Sequence, residues 1–323
     1  MSTLTELYEP IAVHLGRVET VFQDALGSNV PVVDHLCRHV RNLRGKMLRP
    51  VLLLLAGEAC GRIREEHYTL AAVVELVHMA TLVHDDVLDE ADVRRNAVTV
   101  NRMTTNETAV MLGDFLISRS FLLCSGIACQ RASPLIGQAA ATVCEGELLQ
   151  LSHRGNFRLT EDLYFTIIDR KTAALTAVAC EVGALFADAP PRVIRSLRDF
   201  GRSVGIAFQI VDDILDIVGR EEQTGKTLGT DARKGKLTLP MIHHLRTSSN
   251  GSAERMLAYL QTPELQDRPA LQRLLAETGS LEYARRVAGH HVTRAVASLQ
   301  YLPPSPARTQ LQTMAEFIIA RQF

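Results

Sequence analysis

What most constrains this chain is a succession of long apolar segments with no strand-like alternation between them. Thr69–Glu90 is rich in Leu, Val and Ala and too long for a strand; Thr108–Cys129, which carries Gly113, and Pro134–Leu151 have the same character. Pro50–Cys60 is apolar and stops at Gly61, Glu161–Ala187 is closed by Pro190-Pro191, and Val193–Val218 ends at Gly219. Arg220 to Lys236 is polar and rich in Gly and Lys, hence a loop, and shorter helical patterns follow beyond Thr247 around Pro263, Pro269 and Pro303–Pro306. No long-period repeat stands out. The pattern predicts an all-α chain, with residues 1–323 forming one domain and no linker.

Composition narrows what such a chain does. Hydrophobic residues make up 46% and charged ones 22%, so a real core is available and disorder is excluded. Trp is absent and aromatics are 5%, which makes that core aliphatic. With a net charge of −1 there is no global basic field for nucleic acid, so any anion site must be local. Cys37, Cys60, Cys124, Cys129, Cys144 and Cys180 form no C-x-x-C pair and read as reduced core residues of a cytoplasmic protein. The N-terminus lacks the basic and apolar regions of a secretory signal. Apolar runs such as Val51–Ala56 fall far short of the ~20 residues that span a bilayer, so no transmembrane segment is expected.

Against this apolar background one motif occurs twice, as Asp85-Asp86-Val87-Leu88-Asp89 and Asp212-Asp213-Ile214-Leu215-Asp216, each at the C-terminal end of a long helix. At 100° per residue, Asp85 and Asp89 share a face, as do Asp212 and Asp216. His78 and Thr81 extend the first stripe, within ~80° of arc, and Gln209 extends the second. Carboxylates at this spacing repel one another, and a helix C-terminus disfavours negative charge, so a cation must compensate. The donors are oxygens only, which suits Mg²⁺ bound by one or two carboxylates plus substrate phosphates. Solvated acidic helix ends are the ordinary fate of such a run. Two copies, each continuing a polar stripe into an apolar helix, argue against that.

Basic residues stand where a polyphosphate needs them. Arg94-Arg95 follows the first motif, Lys226 and Lys236 flank the loop after the second, Lys171-Thr172 lies in an apolar helix, and Lys46 and Arg49 sit three apart in Gly45–Pro50. Each alone is more often a solvated or snorkelling side chain; together they balance charge that metal and carboxylates leave unmatched.

These segments resemble the trans-isoprenyl diphosphate synthases, the polyprenyl synthetases, most closely the long-chain ones. The likeness rests on Gly45–Pro50, His78–Arg95, Gly113-Asp114-Phe115-Leu116, Lys171-Thr172, Phe208–Asp216 and Gly225-Lys226 through Gly235–Pro240, and spans about residues 40 to 245. Met47 stands where the family usually has Arg or another polar residue, and Arg44 where it has Gly. The resemblance implies a bundle of antiparallel helices around a central active-site cavity, usually a homodimer. Mg²⁺ held by Asp85, Asp89 and Asp212 would bind an allylic diphosphate, assisted by Arg94, Lys171, Thr172, Gln209 and Lys226. Isopentenyl diphosphate would sit on Lys46, Arg49, His78 and Arg95. Thr172 and Gln209, beside Lys171, would steady the allylic cation, and peripheral membrane contact would serve product release.

No Phe, Tyr or Trp occurs between Tyr68 and Phe115, and Ala80 and Thr81 precede Asp85, so the wall beside the first motif has no aromatic floor, unless Phe115 or Phe121 closes it deeper. A long trans-polyprenyl chain follows as the expected product, with a short-chain farnesyl or geranylgeranyl diphosphate synthase as the alternative. A class I terpene cyclase would carry a mixed Asn/Ser/Glu second motif and more aromatics. A non-catalytic partner subunit would have lost aspartates. A nucleotide-binding P-loop ending in Gly225-Lys226-Thr227 fails because its first Gly would fall on Arg220.

Overall fold

The computed structural model describes residues 4–43, 45–220, 228–262 and 267–320. Helices run in chain order as α1 (Leu4–Tyr8), α2 (Ala12–Leu26), α3 (Pro31–Asn42), α4 (Leu48–Ala59), α5 (Glu65–Leu88), α6 (Val100–Met103), α7 (Asn106–Ser125), α8 (Ala132–Ser152), α9 (Glu161–Ile168), α10 (Ala174–Phe186) and α11 (Pro191–Val218). After these come α12 (Thr230–Arg233), α13 (Leu239–Thr247), α14 (Asn250–Gln261), α15 (Arg268–Ala276), α16 (Ser280–Ser298) and α17 (Pro306–Ala320). Among the described residues the strand content is one hairpin, β1 (Val93–Arg94) against β2 (Ala97–Val98). The all-α expectation holds. Arg44 and Lys226 lie outside the described residues.

The chain groups into two compact units. One takes in residues up to Ala140 with Leu175–Gly201 and Ser298–Met314; the other holds Ala141–Ala174, Arg202–Ala297 and the chain from Ala315. In the first, α5 is the central element and packs against α2, α4 and α7. Leu70–Val77 is buried all round, which explains a run that is apolar on every side except for Glu75. Small residues allow close approach. A side chain on Gly113 of α7 would meet the ring of His84, and one on Gly183 of α10 would meet the Leu53 carbonyl of α4. In the second unit, Thr160 caps α9 by accepting from the Leu163 amide at 3.3 Å, and Asp267 caps α15 by accepting from Ala270 at 2.5 Å.

Three readings need correction. The predicted helix Glu161–Ala187 is broken by a π-turn at Asp169–Ala173, which packs against α8 where Gly146 replaces a side chain that would strike the Lys171 amide. Cys37, Cys124 and Cys180 are core residues as expected, but Cys129 and Cys144 are exposed. Finally, α7 is long and apolar enough by length and composition to cross a membrane, though its Gly113 face is packed in the protein. Counting unbroken apolar runs missed it because Glu107, Asp114 and Arg119 interrupt the helix.

Candidate active site

The first acidic motif is built at the end of α5. Glu90, with φ of 49°, ends the helix: its amide bonds to the Val87 carbonyl and the Ala91 amide to that of Asp86, a Schellman closure. Asp89 is therefore the C-cap residue rather than part of the helical face, while Asp85 remains in the last turn. Both are partly exposed, whereas Asp86 is only 2% exposed and accepts from Arg94 Nε at 2.7 Å. Asn101 and Thr99 bond back to carbonyls of the same turn, so the segment that carries the arginines is pinned to the helix end.

The hairpin aims those arginines. Its two turn residues, Arg95 and Asn96, both have positive φ (52° and 62°), the two-residue turn that matches strand twist. Arg95 is an exposed residue overall, yet its guanidinium folds back to donate to the Leu43 carbonyl at 2.5 Å. It lies over Gly45 so closely that a Cβ there would strike the guanidinium. Loss of water at this contact lowers the Arg95 pKa, opposed by Glu75. Burial brings Arg49 down to about 10, again opposed by the nearby Glu75 carboxylate. His78, one turn beyond Glu75, is held well below its ordinary value by burial and then by Arg49, Arg95 and Arg94. The imidazole is thus neutral in a cluster whose three guanidiniums share the charges of Glu75 and Asp86. Met47 opens α4 in the left-handed conformation, and a cavity of about 780 Å³ lies beside exposed Lys46, lined also by Tyr8, Leu15 and Glu19. The expected isopentenyl set Lys46, Arg49, His78 and Arg95 falls in one unit with Arg94, Asp85 and Asp89.

The second motif sits at the end of α11 and is differently exposed. Asp212 alone of its three carboxylates is partly accessible; Asp213 is 5% and Asp216 3% exposed. Asp216 accepts from the Thr230 amide at 3.3 Å and the Asp231 amide at 3.2 Å, tying down the start of α12. Asp213 accepts from Tyr164 OH at 2.6 Å and from Gln209 Nε2 at 2.8 Å, while Gln209 Oε1 accepts from the Thr172 hydroxyl at 2.7 Å. Burial and the Asp231 carboxylate push Asp213 well up, and the bonds from Tyr164 and Gln209 oppose this. Lys171, in the π-turn, pairs with Glu147 and donates to Gln150 Oε1 at 3.0 Å. Asp169, at the start of that turn, is gripped by Arg202 at 2.5 and 2.7 Å.

Glu75, Glu147, Gln150 and Tyr164 are additions the sequence reading missed. Glu75 was legible as the lone charge in a fully apolar helical run, three residues before His78. Glu147 and Gln150 flank no motif, and only Gly146 in mid-helix hinted at a close contact. Phe121, considered as a deeper floor, lies 69% exposed on the surface of α7.

Among the described residues no three His, Cys, Asp or Glu side chains converge into a ready metal cage. Partly exposed carboxylates with oxygen donors only fit a hard cation that keeps waters and completes its shell with phosphate oxygens.

The polyprenyl synthetase family profile matches residues 30–277. The octaprenyl diphosphate synthase of Escherichia coli is 33% identical across 98% of this chain and 99% of its own length. A short chain isoprenyl diphosphate synthase of Methanothermobacter thermautotrophicus is 34% identical across 88% of this chain and 89% of its own length. The polyprenyl synthase of Caulobacter crescentus, solved in complex with calcium and isoprenyl diphosphate, is similar with a TM-score of 0.93 at 32% identity, covering 99% of this chain and 98% of that one. With identity of this level sustained over the whole length, this chain belongs to the polyprenyl synthetase family and is a chain-elongating prenyltransferase.

Proposed function

We propose that this enzyme condenses isopentenyl diphosphate with an allylic diphosphate, in the presence of Mg²⁺, to give a long-chain trans-polyprenyl diphosphate. The observation that carries the reading is selective exposure: of six motif aspartates, Asp85, Asp89 and Asp212 are accessible, while Asp86, Asp213 and Asp216 are buried and hydrogen-bonded. The accessible three are the metal ligands in this proposal. The calcium and isoprenyl diphosphate held by the Caulobacter crescentus relative support a divalent cation beside a diphosphate. A Mg²⁺ ion held by these carboxylates would supply charge neutralisation for the departing diphosphate.

Lys171 shares that task from the π-turn, its ammonium aimed by Glu147 and Gln150, and Arg94 and Lys226 add positive charge. Lys46, Arg49, Arg95 and neutral His78 hold isopentenyl diphosphate, with His78 able to donate one hydrogen bond without adding charge. Thr172 and Gln209 face the allylic cation with oxygen rather than with a proton. Apolar helices such as α5 keep water from that cation.

Relatives of similar identity include octaprenyl and short-chain synthases, so identity alone does not set product length. The small, buried Ala80 on α5 and the lack of aromatics before Asp85 favour a long chain. The exposed apolar residues of α7, Met111, Phe121 and Leu122, favour a homodimer through this helix; the proposal takes the enzyme to be cytoplasmic, with peripheral membrane contact at product release. Incubation with labelled isopentenyl diphosphate, Mg²⁺ and each allylic starter, followed by sizing of the dephosphorylated products, tests the reading. Polyprenyl alcohols of six or more units are expected; farnesol alone refutes the chain length, and no product refutes the reaction.

A further inference from the structure

The hydrogen bonds around Asp213 have a direction. Tyr164 OH gives its proton to Asp213 Oδ2, and Gln209 Nε2 gives one to Oδ1. A carboxylate that receives from both sides fixes which end of the Gln209 amide faces it: nitrogen towards Asp213, oxygen towards Thr172. Gln209 Oε1 in turn takes the only proton of the Thr172 hydroxyl. Thr172 therefore has lone pairs, and no proton, to offer any other group. Tyr164, Thr172 and Asp213 are buried, and Gln209 between them is half-buried, its amide held at both ends by these bonds.

We infer that Tyr164 is a positioning residue for prenyl transfer: through Asp213 and Gln209 it holds the Thr172 oxygen as a pure acceptor facing the cationic carbon of the allylic substrate. The inference rests on the prenyl-transfer reading and adds to it a residue outside the acidic and basic motifs. Turned the other way, Thr172 would present a proton to a developing cation and oppose it. Tyr164 spends its hydroxyl proton on Asp213 and acts in this proposal only by setting the sense of the chain.

The test is a double-mutant cycle on the full-length enzyme, with Tyr164→Phe made in the wild type and in Thr172→Val. Tyr164→Phe alone should lower kcat about tenfold, as expected for loss of one hydrogen bond to a carboxylate, with KM for both diphosphates unchanged. In the Thr172→Val background the same substitution should change kcat less than twofold, because the group it positions is gone. Thermal melting reports folding; should Tyr164→Phe not fold, Asp213→Asn replaces it in the same cycle with the same expectation. An equal fold loss in both backgrounds, or a wild-type kcat in Tyr164→Phe, overturns the inference while leaving prenyl transfer intact. A wild-type enzyme without condensation activity overturns the reading beneath it.

Discussion

The two acidic motifs have the same D-D-x-x-D pattern and different structures. At the end of α5 the chain leaves through a Schellman closure, so Asp89 becomes a cap residue and stays accessible beside Asp85. At the end of α11 the following chain folds back on the helix, and its amides at Thr230 and Asp231 occupy Asp216. One motif thus presents two carboxylates and the other a single one, Asp212. The middle aspartates diverge as well: Asp86 steers a guanidinium, whereas Asp213 accepts from two uncharged donors, Tyr164 and Gln209. A motif of this kind supplies charges; the segment that follows it decides which remain available.

The sharpest way to break this comparison is to remove the terminal aspartates in turn. Asp85→Ala, Asp89→Ala and Asp212→Ala should each lower the rate of condensation about a thousandfold, equivalent to ~4 kcal/mol of transition-state stabilisation. Asp216→Asn should stay within about tenfold of wild type and lower the melting temperature instead, since it loses bonds to backbone amides. Steady-state kinetics and thermal melts on the four variants decide it; a loss in Asp216→Asn as deep as in Asp89→Ala would erase the distinction.

The basic partners separate the two regions next. Arg49→Ala should raise KM for isopentenyl diphosphate by about tenfold or more, and Lys171→Ala should do so for the allylic substrate, each losing a charged donor worth about 1.5–3 kcal/mol. Matching increases for both substrates in both variants would show that the sets are not separate.

Ala80→Phe probes the α5 side alone. Filling the space a turn and more before Asp85 should shift the products towards shorter prenyl chains while the first condensation continues, as read by chromatography of the dephosphorylated alcohols. An unchanged distribution places the limit of the chain elsewhere.

The smallest effect is one of sign. His78 in the first region has a depressed pKa, so below about 6.5 the unfolded chain takes up a proton that the folded chain refuses, and stability falls with falling pH. Asp213 in the second is raised, so its contribution is present below the unfolded carboxylate pKa and lost as pH rises towards the folded one. Relative to wild type, His78→Gln should therefore melt comparatively higher at pH 5.5 than at pH 7.5. Parallel shifts at both pH values would contradict the assignment.

Much of this was legible before any coordinates. The helical segments named from Pro50 to Val218 were read to within a few residues because their apolar length admits no other element, whereas α2 and α3, which are more polar, were not named and α12 falls in a stretch read as a loop. What escaped the sequence was pairing across distance. Nothing near Asp213 in the chain announces Tyr164, 49 residues earlier, and nothing at Lys171 announces Glu147. The placement of Asp89 off the helical face was equally hidden, since Glu90 is a non-glycine in a conformation that usually signals itself by Gly. Periodicity describes one helix at a time; a site is a relation between several.

The π-turn at Asp169–Ala173 also sets how this stretch can vary in length. A regular α-helix throws successive side chains 100° apart, which would separate Lys171 from Thr172. The wider turn lets these neighbours reach Gln150 and Gln209 respectively, while Tyr164 keeps its own direction one helix earlier. It does so by accommodating an extra residue in the helical path. Deleting one residue between 169 and 173 would therefore be easy on the backbone, which would relax to an unbroken helix, and hard on the reaction, which would lose one of its two adjacent side chains. This is a place where a change of length is cheap to fold and not cheap to use.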